Sequence, residues 1–155
     1  MKPRKWRRPH GKYLEHRARL RVRFQEVDSL RIVWHGHYLT YFEEARVALG
    51  REYGINYTDF VEAGLLTPVV HVSCDFVRPA EFPDELEVLA RLYKRDSAKL
   101  EYYFEVHRLS DHALLATGQS IHAFSGIDTK LRLTLPDFMR DWYARWEPEM
   151  VNDDA

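Results

Sequence analysis

The chain has a single cysteine, almost no net charge and no long apolar run. Cys74 is the only cysteine in 155 residues, so no intrachain disulfide can form, and a reducing cytoplasmic setting is expected. No apolar run approaches the roughly 20 residues that span a bilayer, and none follows the basic start as in a secretory signal. The formal net charge of -1 gives no electrostatic reason to expect nucleic acid binding.

Metal and phosphate-loop motifs are also missing. The 8 histidines include His35 and His37, but a spacing of two does not place them on one face of a helix. The chain has no HExxH motif, no paired cysteines and no glycine-rich phosphate loop. We therefore expect neither a metal nor a cofactor.

The composition predicts a single globular domain with charged ends. Aromatic residues make up 14% of the chain, and 155 residues suit one domain. We expect a flexible basic arm at residues 1–18, one domain at 19–146 and an acidic tail at 147–155. The arm is either simply solvated or attracts anionic cargo, such as coenzyme A phosphates or an acidic carrier protein.

A strand, a loop and a long helix are predicted in succession near the start of this domain. Residues 19–25 alternate between apolar and polar, as in a half-buried strand, and Asp28 falls in the loop that follows. Apolar residues then recur at helical spacing, and Gly54 is a suitable terminator. This stripe consists of Tyr38, Phe42, Ala45, Leu49 and Tyr53.

The remainder of the chain is predicted to be mostly strands. A short helix over residues 56–63, capped by Thr58 or Asp59, precedes four strands, and a last helix covers 136–146. The four strands are placed at residues 68–77, 85–93, 100–106 and 114–124. This order predicts an α+β fold with a curved antiparallel five-stranded sheet wrapped around one long central helix. Because such a sheet leaves an edge strand exposed, we expect a homo-oligomer.

The segments around Asp28 resemble a known family. FQEVD at 24–28, IVWH at 32–35 with Tyr38, and FEEAR at 42–46 are similar to the signature of hotdog-fold acyl-CoA thioesterases of the 4-hydroxybenzoyl-CoA thioesterase type. The resemblance continues more loosely through CDFVRP at 74–79 and ATGQ at 116–119, and covers about residues 19–136. In many members glycines stand where this chain has Leu30 and Arg31.

The resemblance implies an activity and a set of catalytic residues. It implies a hotdog-fold hydrolase of coenzyme A or acyl-carrier-protein thioesters, acting as a homodimer or homotetramer with active sites at a dimer interface. Asp28 would be the general base or nucleophile, and backbone N–H groups at His35 and Gly36 would bind the oxyanion. Tyr38 matches a family aromatic. The alternatives are a structural role for Asp28, packing of His35 against the pantetheine channel and a core position for Tyr38.

Substrate contacts and rival activities complete the prediction. The predicted substrate-binding residues, four of them cations suited to phosphate, are Trp34, Arg78, Lys94, Arg95 and Lys99. Ordinary surface charge is the alternative for each cation. Some family members use a carboxylate on the helix, so Glu43 and Glu44 are alternatives to Asp28. The rival functions are a hotdog dehydratase or hydratase, whose His-Phe-Pro type signature is absent, and a non-catalytic acyl-binding or assembly module.

Overall fold

One long helix lies against an antiparallel sheet in the computed structural model, which describes residues 8–153. The strands are β1 (Lys12–Arg21), β2 (Leu65–Leu66), β3 (Val69–Phe76), β4 (Glu85–Tyr93), β5 (Lys99–Arg108), β6 (Leu114–Ala123), β7 (Ser125–Gly126) and β8 (Val151–Asn152). The helices are α1 (His37–Tyr53), α2 (Tyr57–Glu62) and α3 (Asp137–Trp146).

The main sheet has the strand order β3-β6-β5-β4-β1-β8, and all of its pairings are antiparallel. The five long strands expected from the sequence are present, and β8 adds a sixth strand of two residues at one edge. The short strands β2 and β7 pair separately. The α+β prediction, with a long helix packed on an antiparallel sheet, is confirmed.

The predicted apolar stripe of α1 forms the centre of the core. Tyr38, Phe42, Ala45 and Leu49 are buried, and Gly54 ends the helix in the left-handed region with φ 72°. The ring of Phe42 stacks on Phe104 of β5 with centroids 4.8 Å apart. On β6, a Cβ at Gly118 would lie 2.2 Å from the Phe42 ring. Glycine is therefore required there for the helix to approach the sheet.

The first strand begins earlier than the sequence pattern indicated. The strand expected over residues 19–25 instead covers Lys12–Arg21, so part of the segment interpreted as a flexible arm belongs to the sheet. Its charged side chains pair with those of β4, as in the 2.7 Å contact between Arg17 and Glu87. At the other end of the chain, β8 lies within the segment interpreted as a tail. Residues 1–7 lie outside the described part.

The start of α2 also differs from the prediction. Asn56, rather than Thr58 or Asp59, is the N-cap of this helix. Asp59 instead occupies the third helical position, where its Oδ2 accepts a 2.7 Å hydrogen bond from the Asn56 N–H. This reciprocal arrangement is a capping box, in which a side chain inside the helix satisfies the capping residue's own backbone.

Candidate active site

Asp28 lies in a tight turn between β1 and α1. Its N–H donates to the Ile32 carbonyl at 3.0 Å, and its carbonyl accepts from the Arg31 N–H at 2.9 Å. The Leu30 N–H donates to Oδ1 of the Asp28 carboxylate at 2.8 Å. Among residues 8–153 no protein donor is bonded to Oδ2, so this oxygen is available to a reactant. The carboxylate is thus oriented by the loop but only half engaged by it.

Arg31 stands at one of the two positions where many members of the resembled family have glycine. Its φ of 63° lies in the left-handed region. A residue with a side chain costs roughly 1–2 kcal/mol in that conformation, whereas glycine adopts it without this penalty. The turn therefore holds Arg31 in a conformation that glycine would adopt at lower cost.

Buried contacts hold the Asp28 turn in place. The Val33 N–H donates to the Ala80 carbonyl at 2.8 Å, which ties the loop to the segment after β3. Glu26, only 8% exposed, accepts hydrogen bonds through Oε1 from the Tyr41 hydroxyl at 3.1 Å and from the Arg23 N–H at 2.7 Å. Burial and the neighbouring carboxylate raise the pKa of Tyr41, so its phenol stays protonated as the donor.

The positioning role of Glu26 was missed in the sequence. It is quoted there only as part of a family pattern, because a single buried carboxylate in a loop leaves no periodic signal. Its function depends on Tyr41, which lies 15 positions away on α1. Glu26 acts as a positioning residue, since it holds the loop that carries Asp28.

The start of α1 offers free backbone donors next to this turn. Gly36 is the N-cap, and the His37 N–H is used by the Trp34 carbonyl at 3.0 Å. Within the described part of the chain, the N–H groups of His35 and Gly36 have no acceptor. A Cβ at Gly36 would lie 2.0 Å from the Trp34 ring, which covers this residue. Two unpaired N–H groups at a helix start form a site for negative charge.

The turn, the helix start and the end of β3 enclose a cleft of about 320 Å³. Its lining residues are Asp28, Leu30, Ile32, Val33, His35, Tyr38, Phe76, Val77, Arg78 and Pro79. Three residues predicted to act in catalysis, Asp28, His35 and Tyr38, therefore line one cleft. Their chemical roles remain predictions.

Tyr38 is placed as a support for the cleft wall. It is 2% exposed, and its hydroxyl oxygen accepts the Ala80 N–H at 3.1 Å. Its ring meets that of Phe76 edge to face, with centroids 5.1 Å apart. Burial raises the pKa of the Tyr38 phenol, which keeps it neutral. These contacts favour the core alternative, in which Tyr38 positions the segment that follows β3.

The predicted substrate contacts are divided between two regions. Arg78 lines the cleft, whereas Trp34 lies outside the lining and covers Gly36. Lys94, Arg95 and Lys99 lie around the β4–β5 turn. This turn is at the end of β4 that lies away from the cleft, and β4 is roughly 27 Å long at about 3.3 Å per residue. The ion pairs of these cations are Lys94 with Glu147 at 3.5 Å, Arg95 with Glu101 at 2.6 Å and Lys99 with Glu101 at 3.7 Å. Within one subunit the structure does not bring these three to Asp28.

The alternative carboxylates on α1 lie away from the cleft lining. Glu43 pairs with Arg46 at 2.8 Å and lines a second cavity further along α1. Glu44 is exposed to solvent. Of the three carboxylates considered, Asp28 alone lines the cleft beside the helix start.

Two further features of residues 8–153 concern metals and membranes. No group of three or more His, Cys, Asp or Glu side chains in this range is placed to hold a metal ion. None of its helices is both long and apolar enough to cross a membrane.

Comparison with known proteins identifies the family. The sequence profile of the thioesterase-like superfamily matches residues 22–143, which contain the Asp28 turn, α1 and the long strands β3 to β6. The chain belongs to the thioesterase-like superfamily. A 1,4-dihydroxy-2-naphthoyl-CoA hydrolase of Synechococcus elongatus is 31% identical over 126 residues, which cover 78% of this chain and 89% of that protein.

Two solved structures of thioesterases share the fold of this superfamily member. A DHNA-CoA thioesterase from Staphylococcus aureus aligns with a TM-score of 0.76 at 22% identity, covering 87% of this chain and 90% of that one. A 1,4-dihydroxy-2-naphthoyl-CoA thioesterase from Synechocystis gives 0.75 at 20% identity, covering 86% and 98%. The predicted hotdog fold is confirmed, and the prediction of a thioester hydrolase is confirmed at the level of the family.

Proposed function

We propose that this protein hydrolyses an acyl-CoA thioester to a free acid and coenzyme A, with Asp28 as the reacting carboxylate. The observation that carries the proposal is the shared cleft, which is lined by Asp28 and by His35 at the helix start. Within residues 8–153 the N–H of His35 has no acceptor, nor has that of the adjacent Gly36, which lies outside the lining. Hydrolysis of a thioester requires both a base or nucleophile and a site for the oxyanion.

The carboxylate can act in either of two ways. As a general base, Oδ2 of Asp28 takes a proton from water while the water oxygen bonds to the thioester carbon. As a nucleophile, Oδ2 bonds to that carbon itself, and water later cleaves the mixed anhydride. In both cases the carbon–sulfur bond breaks and the leaving thiolate takes up a proton. Oδ1 stays bonded to the Leu30 N–H and fixes the orientation of the carboxylate.

The helix start would stabilise the oxyanion that forms on the carbonyl oxygen. An oxyanion donor of this kind is typically worth about 3–4 kcal/mol in the transition state. The positive end of the α1 dipole adds to the hydrogen bonds from the N–H groups of His35 and Gly36. The Trp34 ring lies over Gly36 on one side of this site.

Arg78 is the best placed cation for the phosphates of coenzyme A. It is exposed at the cleft, and its guanidinium makes no ion pair with a carboxylate in the described range of 8–153. Contacts from Lys94, Arg95 and Lys99 remain predictions, and in one subunit these residues lie at the other end of the sheet. The aromatic thioester named for the Synechococcus relative makes aryl-CoA esters the first substrates to test.

We also propose that β3 pairs with a second copy of the chain. This edge strand exposes Val70 at 63% and Val72 at 43%, and pairs only with β6 within the described residues. An exposed apolar edge favours strand pairing between copies, and pairing here would enclose the cleft at Phe76. Light scattering at micromolar protein should give at least a dimer mass. A fully active monomer would contradict this proposal.

Release of free thiol from acyl-CoA tests the main proposal against its rivals. Only a thioesterase releases coenzyme A thiol, whereas a hydratase changes the acyl chain and a binding module leaves the thioester intact. Burial raises the pKa of the Cys74 thiol to about 12, so the protein's own cysteine reacts slowly with the thiol reagent. Benzoyl, hydroxybenzoyl and straight-chain acyl-CoA form the panel. If none of these substrates releases thiol, the proposal is overturned.

The lone cysteine fits a reducing cytoplasm, which remains our expectation for the location. Fractionation of cells that express the chain with a terminal tag would test it. Recovery of the protein outside the cytoplasmic fraction would contradict it.

A further inference from the structure

A second cavity lies further along α1, and like the cleft it is lined by residues of α1 and β3, so we call the space between these two elements the crevice. Its volume is about 150 Å³, and an apolar cavity of that size accepts a benzene ring. The residues that line it are Leu39, Phe42, Glu43, Arg46, Val69, Val72, Phe104, Ser120 and His122. The stacked rings of Phe42 and Phe104 form a flat wall against which another ring could lie.

Two buried polar residues stand within this mostly apolar lining. Ser120 is 6% exposed and His122 is 1% exposed. The Ser120 Oγ lies 3.0 Å from Nε2 of His122, and Nδ1 of His122 lies 3.1 Å from the Thr67 carbonyl oxygen. The catalytic chemistry proposed for Asp28 uses neither residue, and a purely structural cavity could be lined by apolar residues at lower cost.

The hydrogen-bond directions in this pair are fixed by the Thr67 carbonyl. Because a carbonyl oxygen can only accept, Nδ1 of His122 carries the proton in this contact. In the neutral ring Nε2 then accepts the Ser120 hydroxyl proton. Burial lowers the pKa of His122, which keeps the ring neutral. Within residues 8–153 no group donates a hydrogen bond to the Ser120 Oγ other than in the His122 pair, so Ser120 presents an acceptor to whatever enters the cavity.

We propose that Ser120, oriented by His122, accepts a hydrogen bond from a hydroxyl group on the substrate's acyl portion and so selects hydroxylated aryl thioesters. This inference rests on the proposed function, since it assigns the acyl end of the same substrate. Ser120 is the specificity-determining residue, and His122 is a positioning residue that acts through it.

The spacing along the crevice suits an aryl acyl group. On α1, Tyr38 of the cleft and Phe42 of the cavity are one helical turn apart, roughly 6 Å along the axis. On β3, Phe76 and Val72 are four residues apart, roughly 13 Å. The cleft and the cavity are therefore neighbours along α1 and β3. In the proposed complex the thioester carbonyl lies in the cleft at Asp28, and a ring of one or two cycles lies in the cavity with its hydroxyl toward Ser120.

The test compares matched ligands that differ by one hydroxyl. Thioether analogues of 4-hydroxybenzoyl-CoA and benzoyl-CoA cannot be hydrolysed, so their affinities can be measured by calorimetry whether or not the protein turns over substrate. The wild-type protein should bind the hydroxylated analogue about tenfold more tightly, the value of one good hydrogen bond. In Ser120→Ala this preference should disappear, while affinity for the unsubstituted analogue stays within twofold. In Ser120→Thr, which retains the hydroxyl, the preference should persist.

Two results would overturn the inference. One is equal affinity of the wild-type protein for the two analogues, and the other is an equal loss for both in Ser120→Ala, which indicates a structural role. If Ser120→Ala fails to fold, the wild-type preference and a His122→Phe variant decide the matter, since phenylalanine keeps a ring but removes the acceptor of the Ser120 hydroxyl proton and should reduce the preference. Failure of the proposed hydrolysis would appear separately, as no thiol release from either parent thioester.

Discussion

The crevice between α1 and β3 has two ends that are built differently. The Asp28 end consists of a turn, a helix start and a strand exit, and its Arg31 holds an unfavourable left-handed conformation. The Ser120 end consists of the middle of α1, β5 and β6, where Phe42 packs against Gly118 and Phe104. The proposed reacting group, Asp28, thus lies in a loop that α1 and the sheet hold in position, whereas the proposed site for the acyl portion is formed by α1 and the sheet themselves.

This difference predicts that the two ends tolerate change unequally. The Asp28 end has exposed side chains that can move aside, such as Trp34 at 47% exposure. At the Ser120 end, α1 and β6 are close-packed beside the cavity where Phe42 meets Gly118, and a close-packed contact cannot absorb added volume without shifting its neighbours. The same substitution at each end, glycine to alanine, measures the contrast.

The larger effect is expected for Gly118→Ala at the close-packed end. The added Cβ would lie 2.2 Å from the Phe42 ring and 3.0 Å from the backbone oxygen of Ser73, so α1 or β3 must shift. Overpacking of this kind costs about 1–3 kcal/mol of unfolding free energy. Denaturant unfolding would measure it. Stability within about 0.5 kcal/mol of wild type, the usual range for a harmless surface change, would show that the contact between Phe42 and Gly118 is not tightly packed.

A smaller effect is expected for Gly36→Ala at the Asp28 end. The added Cβ meets the Trp34 ring, but that half-exposed ring can move, and Gly36 has an ordinary helical φ of -65°. The lost chain freedom of the unfolded state also favours alanine by about 0.4–1 kcal/mol. The same unfolding measurement should give a net loss below about 1 kcal/mol. A loss equal to that of Gly118→Ala would remove the contrast between the ends.

The sequence predicted the Asp28 end better than the Ser120 end. The strand–loop–helix order, the apolar stripe of α1 and the Gly54 terminator are local patterns, and all are confirmed. The Ser120–His122 pair was not singled out, because its meaning depends on the Thr67 carbonyl, 55 positions before His122. Local periodicity carries no information on such long-range contacts.

The same limit explains the errors at the chain ends. The basic residues of β1 were interpreted as a solvated arm because their acidic partners, such as Glu87, lie about 70 positions later in the sequence. Glu147, the partner of Lys94, likewise lies 53 positions later, and the assignment of Lys94, Arg95 and Lys99 to phosphate stays a prediction. Charge alone does not distinguish a ligand contact from an internal ion pair.

The most direct measurement of the central claim is kcat of Asp28→Asn on a hydrolysed aryl-CoA. Asparagine keeps an oxygen that can accept the Leu30 N–H, so the turn should survive, and unfolding should match that of the wild-type protein. A positioned base typically contributes 10²- to 10⁴-fold, so kcat should fall by about that factor. The matched control, Glu44→Gln on the exposed face of α1, should change kcat by less than about twofold. A folded Asp28→Asn protein with kcat within about threefold of wild type would contradict the assignment of Asp28 as the reacting carboxylate.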